Sequence, residues 1–241
     1  MKRSLILAAS LSLLAACGPS AEQQRAAAEA AAVQKEQAAA EVAKQYEDAR
    51  TAQKWETARI HGAALLAQYP DTQAAEQVQQ SFDEIKAKAE AQREQDRLSS
   101  LWSYTQVPAG KGTQRSAMLY AKDTVDVDGS GPRSVQLVFR DHPQWKRSAY
   151  LVLQAGDFAK ACYGHCSVTV IADGGAPKKM TAYRPDTDEA IAMFIDDHEA
   201  LWKLARKSRA ITIEFATRDV GPRKAVFETG GLNGAHMPGW D

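Results

Sequence analysis

The sequence predicts an α+β protein, in which an N-terminal α-helical spacer and hairpin are followed by an antiparallel β-sandwich or barrel-like domain with one helix. Three observations predict this architecture. From Ser20 to about Ser99 the chain is rich in Ala, Gln, Glu and Lys and almost free of Gly. Apolar residues in this half recur with the period of an α-helix, whereas beyond Ser100 they alternate with the period of a β-strand. We therefore expect helices up to residue 99 and a β domain over residues 100–241.

The first residues have the pattern of an export signal. Lys2 and Arg3 precede an apolar run that ends at Ala16, and this run is shorter than the roughly 20 residues that a membrane-spanning helix needs. We expect residues 1–16 to be a signal peptide that is removed. An ordinary cleaved signal followed by an incidental cysteine is the alternative.

The end of this run resembles the lipobox of bacterial lipoproteins, in which a peptidase cuts before a cysteine that carries acyl chains such as palmitate. The residues that carry the likeness are Leu14-Ala15-Ala16-Cys17. The resemblance implies that Cys17 is lipidated and anchors the protein to a membrane. Because Gly18 rather than Asp follows the cysteine, it also implies the outer membrane, facing the periplasm.

Charge and cysteine content narrow the range of functions. The chain has 30 basic and 30 acidic side chains, and removal of a signal peptide would leave a small excess of acid. Nucleic-acid-binding proteins usually have a basic face, so we expect no nucleic-acid partner.

Apart from Cys17, the cysteines are Cys162 and Cys166. An even pair in an exported protein is a candidate disulfide, because the compartment is oxidising.

The helical half has two parts. Residues 17–40 comprise the lipidated cysteine and an Ala-rich tether, in which Val33 is the single larger aliphatic residue of positions 21–40. A helix with so narrow an apolar stripe has little to bury, so we expect a spacer; coiled-coil pairing with a partner helix is the alternative. Residues 41–99 are expected to form a helical hairpin, because Pro70 ends one periodic segment and either Asp71 or Thr72 can cap the next.

This hairpin resembles a single tetratricopeptide-like unit. Such units stack in groups of three or more, and the sequence contains one clear unit, which favours a hairpin that packs on itself or on the next domain. The likeness is carried by Trp55, Ala58, Leu65-Leu66, and the corner Tyr69-Pro70-Asp71-Thr72 that leads into Ala74-Ala75.

The β half contains about eight or nine short stretches of strand character, separated by Gly- and Pro-rich turns. They lie at 102–107, 116–122, 135–139, 147–154, 166–172, 178–183, 191–195, 211–215 and 223–228. One helix interrupts them, with Asp196 and Glu199 approximating a capping box. Many short strands with one helix indicate a sandwich or a barrel-like domain.

The candidate sites centre on Cys162, His165 and Cys166. A structural disulfide between the cysteines is favoured, because Gly164 allows the loop to curl. A redox-active pair is one alternative, although such pairs usually have two intervening residues. A metal site is another, with His198 or His142 as a fourth ligand.

We predict neither a catalytic residue nor a resident metal or cofactor. Histidines 61, 142 and 236 lack the spacing of a zinc helix or a triad, and no Gly-x-Ser-x-Gly elbow is present. The acidic residues Asp126 and Asp128 are better explained by a hairpin turn than by a calcium loop. Solvation and capping account for the carboxylate pairs Asp186/Asp188 and Asp196/Asp197.

The tryptophans are expected in the core or at sheet edges, unless two of them share an exposed face that anchors a partner. They are Trp102, Trp145, Trp202 and Trp240.

The β half resembles a recurring envelope domain found in accessory proteins of type VI secretion known as TagO or VasI, and in related periplasmic proteins. The likeness spans residues 101–232, and it implies the type of domain. The residues that carry it are Gly156-Asp157-Phe158, the cysteine pair, Asp173, Phe194-Ile195-Asp196, Ile211-Thr212-Ile213-Glu214, Gly221, and Phe227 through Gly231-Leu232.

These observations together predict a membrane-anchored periplasmic lipoprotein. We expect it to be a non-catalytic binding or assembly module for another envelope component, with a protein partner. The alternative is a metal- or small-ligand-binding protein, or an enzyme, that uses the region of Cys162, His165 and Cys166.

Overall fold

The computed structural model describes residues 20–187 and 191–240. The expected signal peptide, Cys17 and Asp188 lie outside this range. The chain divides into two compact units, with the boundary between Glu90 and Ala91. Composition placed the start of the β domain at residue 100. The structure places the boundary about ten residues earlier, because the last turns of the preceding helix belong to the second unit. No helix in the described residues is long and apolar enough to cross a membrane.

Three helices form the first unit: α1 (Ala21–Thr51), α2 (Trp55–Gln68) and the part of α3 (Gln73–Ser100) up to Glu90. Helix α1 begins with a capping box, in which the Ser20 hydroxyl accepts from the Gln23 backbone and the Gln23 side chain accepts from the Ser20 backbone. The helix runs without a break across position 40, where we expected the tether to end.

The C-terminal part of α1 packs against the hairpin formed by α2 and α3. Ala39 and Tyr46 are fully buried, and the Tyr46 hydroxyl is 2.8 Å from the Ser81 hydroxyl on α3. A Cβ added to Gly62 on α2 would lie 2.7 Å from the Phe82 ring, so the absence of a side chain allows this close approach. At the predicted corner the Thr72 hydroxyl accepts from Ala75 N–H at 3.2 Å, which makes Thr72 the cap of α3.

The second unit is built on one antiparallel sheet. Its nine strands have the spatial order β1-β2-β5-β6-β9-β8-β7-β10-β11, and β3 and β4 form a separate ribbon. The strands are β1 (Trp102–Ala109), β2 (Gly112–Tyr120), β3 (Val125–Asp126), β4 (Pro132–Arg133), β5 (Val135–His142), β6 (Lys146–Leu153), β7 (Cys166–Ala172), β8 (Lys178–Tyr183), β9 (Ala192–Ile195), β10 (Ile211–Thr217) and β11 (Gly221–Phe227). Helix α4 (His198–Lys207) lies between β9 and β10. The predicted α+β class with an antiparallel β domain is confirmed.

The sheet is not closed into a barrel. In the part of the chain that the structure describes, β1 and β11 are its two edges and do not pair with each other. The connection after β2 approaches β11, where Lys122 N–H donates to the Val226 carbonyl at 2.7 Å and Arg223 Nε donates to the Asp126 carbonyl at 2.7 Å. The sheet is therefore curled but open.

The core of the second unit lies between one face of the sheet and α4. Phe139 on β5 is at its centre, with ring centroids 5.1 Å from Trp202 and 5.6 Å from Trp240. Trp102, Trp202 and Trp240 are all at most 5% exposed, as we predicted for most of the tryptophans. Helix α4 begins one residue later than the predicted capping box: Asp197, not Asp196, accepts from Ala200 N–H at 3.0 Å. Asp196 was therefore the wrong cap.

The end of α3 is fastened within the second unit. Leu98 is 4% exposed, and a Cβ added to Gly231 would overlap the Leu98 backbone carbonyl. Arg97 pairs with Glu228 at 2.8 Å, and Arg209 pairs with Glu94 at 2.9 Å. These contacts explain why residues beyond Ala91 belong to the β domain.

Candidate binding site

The outer face of the sheet has a row of three aromatic rings. Tyr150 on β6 is the cross-strand partner of Phe194 on β9, which is also the partner of Tyr183 on β8. The ring centroids are 4.8 Å apart for the first pair and 5.5 Å apart for the second. Side chains alternate between the faces of a strand; the neighbours Leu151 and Ile195 therefore point into the core, where they are buried. We call Tyr150, Phe194 and Tyr183 the aromatic row.

Arg140 on β5 lies beside this row. Its guanidinium carbon is 5.2 Å from the centroids of Trp145 and Tyr150 and 5.8 Å from that of Phe194. These distances are typical of cation–π contacts. Among the described residues, its buried Nε has no hydrogen-bond acceptor, and no carboxylate forms a salt bridge with Arg140. The site thus contains an arginine that is surrounded by aromatic side chains and has no carboxylate partner among the described residues.

The turn between β5 and β6 presents Trp145. His142 at the end of β5 is 7% exposed, and its Nδ1 accepts the N–H groups of Gln144 at 3.1 Å and Trp145 at 3.2 Å. The imidazole also stacks on the indole, with centroids 4.0 Å apart. Trp145 is nonetheless 64% exposed. His142 therefore holds a solvent-facing tryptophan in place and is not available as a metal ligand through Nδ1.

These residues enclose a groove of about 440 Å³, which lies in the size range of ligand-binding pockets. We call it the arginine–aromatic groove. Burial raises the pKa of Tyr150 above its ordinary value, although the nearby Arg140 opposes this shift. The groove is lined by Arg140, Trp145, Arg147, Ser148, Tyr150, Tyr183, Pro185, Thr187, Ala192 and Phe194.

A buried ion pair fastens one rim of the groove. Asp157 Oδ1 accepts from Arg184 Nε at 3.0 Å, and Asp157 Oδ2 accepts from the Tyr163 hydroxyl at 2.7 Å. Arg184 also donates to the carbonyls of Pro185 and Thr187, both of which line the groove. Burial alone would raise the pKa of Asp157, but the hydrogen bonds from Tyr163 and Arg184 outweigh it, so the pKa lies below its ordinary value.

The cysteine loop lies next to this rim. The sulfur atoms of Cys162 and Cys166 are 2.18 Å apart, at disulfide bonding distance. The Cys162 carbonyl accepts Arg184 N–H at 2.6 Å, and the ring of His165 lies 6.1 Å from that of Tyr183. Because the sulfurs bond each other, they are not available as thiolate ligands. No cluster of three or more His, Cys, Asp or Glu side chains suited to a metal occurs among the described residues.

The remaining residues singled out from sequence have local structural contacts. Asp126 accepts from Gly129 N–H at 2.7 Å and Asp128 accepts from Ser130 N–H at 2.9 Å, so both carboxylates serve the turn. His198 Nδ1 is 3.1 Å from the Asp196 carbonyl oxygen, and this histidine is not assembled with the cysteine loop into a metal cluster.

Sequence reasoning did not find the groove. It named Trp145, and Phe194 only as part of a family resemblance, but not Arg140, Tyr150 or Tyr183, because the row and Arg140 lie on four strands that only the sheet order brings together. One signal was available: Tyr150, Tyr183 and Phe194 occupy alternate positions where a half-buried strand usually has polar side chains. The grouping of aromatic rings, an arginine and an exposed tryptophan is suited to binding a ligand rather than to proton transfer.

Comparisons with known proteins add little to this geometry. No protein-family model matches the chain, and no curated protein matches it. Among solved structures, the crystal structure of invasion associated protein B from Bartonella henselae matches with a TM-score of 0.36 and 12% sequence identity. The match covers 56% of this chain and 87% of that one. It is a weak structural neighbour, and no function is transferred from it.

Proposed function

We propose that this protein is a membrane-anchored periplasmic lipoprotein that acts as a non-catalytic binding or assembly module for another component of the cell envelope. We further propose that the arginine–aromatic groove is the surface that binds the partner. One observation carries this assignment: on the exposed face of the sheet, Arg140 lies within 6 Å of three aromatic rings and forms no salt bridge with a carboxylate of the described residues.

The composition of the groove supports a role in recognition. Trp, Tyr and Arg are the residue types most enriched among side chains that dominate binding energy at protein interfaces. Here a half-buried Arg140 lies on β5 and an exposed Trp145 lies in the turn that joins β5 to β6, two strands that are hydrogen-bonded to each other, and a rigid support of this kind lowers the entropic cost of binding. Both the residue types and their support therefore favour a preformed binding surface.

The proposed location depends on the N-terminal sequence. Lys2 and Arg3, the apolar run and the lipobox-like segment ending at Cys17 support export and lipidation. From the resemblance to TagO- and VasI-type proteins we take only the type of β domain. A single acyl chain gives weak membrane binding, so stable anchoring needs more than one chain or a second signal.

Photo-crosslinking in cells tests the partner-binding role. A photoreactive phenylalanine analogue replaces Trp145 in the full lipidated protein, and the control variant carries it at Tyr120, which is 51% exposed and does not line the groove. We expect a discrete protein adduct from position 145 that is absent from position 120. Adducts of equal yield at both positions, or none at position 145, would contradict the proposal.

Labelling with radioactive palmitate tests the anchor. We expect the wild-type protein to incorporate the label and to fractionate with the outer membrane. The Cys17→Ser variant should remain unlabelled and lose the membrane association. Labelling that persists in the variant would show that the anchor has been assigned wrongly.

A further inference from the structure

We infer that the arginine–aromatic groove recognises a short acidic–apolar peptide segment, in which one internal carboxylate binds Arg140 and neighbouring apolar side chains pack on the aromatic row. The inference rests on the proposed function and adds the chemistry of the partner.

The charge of Arg140 favours an anionic ligand. Arg140 makes no ion pair with a carboxylate of the described residues, whereas Arg147, the other arginine of the groove, pairs with Asp141 at 3.7 Å. The rings around Arg140 offer their faces, which partly stabilise the cation but leave its in-plane N–H groups without an anionic acceptor. A guanidinium is well suited to bind a carboxylate through two parallel hydrogen bonds.

The number of groove arginines without a carboxylate partner favours a ligand with one carboxylate over a more highly charged ligand. Recognition of phosphorylated peptides typically uses a cluster of arginines, and nucleic acids require a basic surface. The described part of the groove has two arginines, one of which is already paired with Asp141. A single open arginine among aromatic rings therefore fits one carboxylate with apolar surroundings.

The aromatic row limits the length of the segment. It spans three adjacent strands, β6, β9 and β8, and neighbouring strands lie about 4.8 Å apart. The row is therefore about 10 Å long, which corresponds to about three residues of extended peptide. The groove volume of about 440 Å³ agrees with a ligand of this size. We therefore expect a short motif in which apolar side chains flank one Asp or Glu.

A phage-displayed library of random dodecapeptides tests the inference. The library is panned on the full-length protein in detergent, with the Arg140→Gln variant as counter-selection. We expect enriched peptides to share one acidic residue beside large apolar or aromatic residues. The best sequence is then synthesised with both ends blocked, and its affinity is measured by fluorescence anisotropy.

The variants give the quantitative outcome. Because a hydrogen-bonded charge pair is lost, we expect affinity to fall about tenfold or more when the acidic residue of the peptide becomes an amide, and equally with Arg140→Gln. Arg133→Gln, which removes an exposed arginine outside the groove, should leave affinity unchanged. The thermal unfolding of each variant shows whether the fold is retained.

Three outcomes would overturn the inference: no enrichment, enriched peptides without an acidic residue, or peptides that bind only with a free C terminus. If crosslinking at position 145 still captures a protein, the binding function stands and only the chemistry assigned to the partner fails. If crosslinking fails while acidic peptides bind in an Arg140-dependent manner, the groove chemistry stands and the proposed cellular role fails.

Discussion

Arg184 Nε donates to Asp157 Oδ1 at 3.0 Å, and the two side chains are only 5% and 10% exposed. This pair joins the residue after β8 to the segment that precedes the cysteine loop. The same guanidinium binds the carbonyls of Pro185 and Thr187, so one buried contact fastens both the loop and a rim of the groove.

Removing the charge of Asp157 should destabilise the β domain. Asp157→Asn leaves the buried Arg184 without its counter-ion, and breaking a buried pair in this way typically costs about 3 kcal/mol. Urea denaturation at pH 7 measures the change in unfolding free energy. Asp186→Asn is the matched control, because Asp186 is exposed and lies close to Arg184 in sequence. Equal stability of the two variants would show that the buried pair has little effect.

The effect of Asp157→Asn on the unfolding free energy should depend on pH. The pKa of Asp157 is lowered in the folded state, so its contribution to stability is complete above the ordinary Asp pKa of about 4 and is lost as the pH falls through the lower folded value. The difference in unfolding free energy between wild type and Asp157→Asn should therefore shrink as the pH is lowered below about 4. A difference that grows on acidification would contradict the assigned direction.

Loss of the disulfide should cost less. A loop as short as Cys162–Cys166 restricts the unfolded chain modestly, which predicts about 2 kcal/mol from chain entropy. We expect the double variant Cys162→Ser/Cys166→Ser to lose this amount in urea denaturation. Wild-type protein in a strong reductant should match it, and the variant itself should be insensitive to the reductant. If the reductant destabilises the two proteins equally, the effect does not come from this bond.

His142 should matter for binding although it does not itself line the groove. His142→Ala removes the acceptor for two backbone N–H groups and the ring stacked on Trp145, so the indole loses its fixed position. We expect weaker capture of the partner by the purified protein, with Trp145→Ala as the reference for complete loss of the indole. His61→Ala, in the helical unit, is the control. Unchanged capture by His142→Ala would show that Trp145 does not depend on this support.

Gly62 should be intolerant of alanine, although alanine favours helices by about 1 kcal/mol over glycine. The added methyl group would lie 2.7 Å from the Phe82 ring and 3.1 Å from the Tyr46 ring, and overpacking of this kind costs about 1–3 kcal/mol. Gly62→Ala should lower the melting temperature of the helical unit, as followed by circular dichroism at 222 nm (the usual helix wavelength). A higher melting temperature would mean that the helices adjust freely.

The contacts at the end of α3 should make a fragment that contains residues 91–100 more stable than one that lacks them. A fragment of residues 91–241 retains Leu98 and the two ion pairs that Arg97 forms with Glu228 and that Glu94 forms with Arg209. A fragment of residues 101–241 lacks them. Burial of one leucine side chain contributes about 2 kcal/mol, so the shorter fragment should be less stable by at least that amount in urea denaturation. Equal stability of the two fragments would show that these residues do not belong to the β domain.

Local patterns in the sequence predict the strands well. All nine strands of the sheet overlap stretches that alternation and turn residues marked out, because half-buried strands impose a two-residue period that is visible in one dimension. Pro70 and Thr72 likewise specify the corner between α2 and α3 by local chemistry. Such features need only neighbouring residues and are therefore readable from sequence.

The contacts that define the site are not local. Asp157 and Arg184 are 27 positions apart, and the sheet order places β9 beside β6 although β7 and β8 come between them in the chain. The burial of Ala39 on α1 was also hidden, because this residue is buried by close helix packing and has no large apolar side chain. Sheet order and helix pairing decide these contacts, and a single sequence does not state either.

The cysteine loop also affects when the groove can be completed. In a reducing compartment Cys162 and Cys166 remain thiols, and the Cys162 carbonyl that accepts Arg184 N–H then belongs to an unconstrained loop. Oxidation would therefore constrain one of the backbone contacts that hold Arg184, and with it a rim of the groove. If the chain is exported as we propose, this constraint would be added only after export.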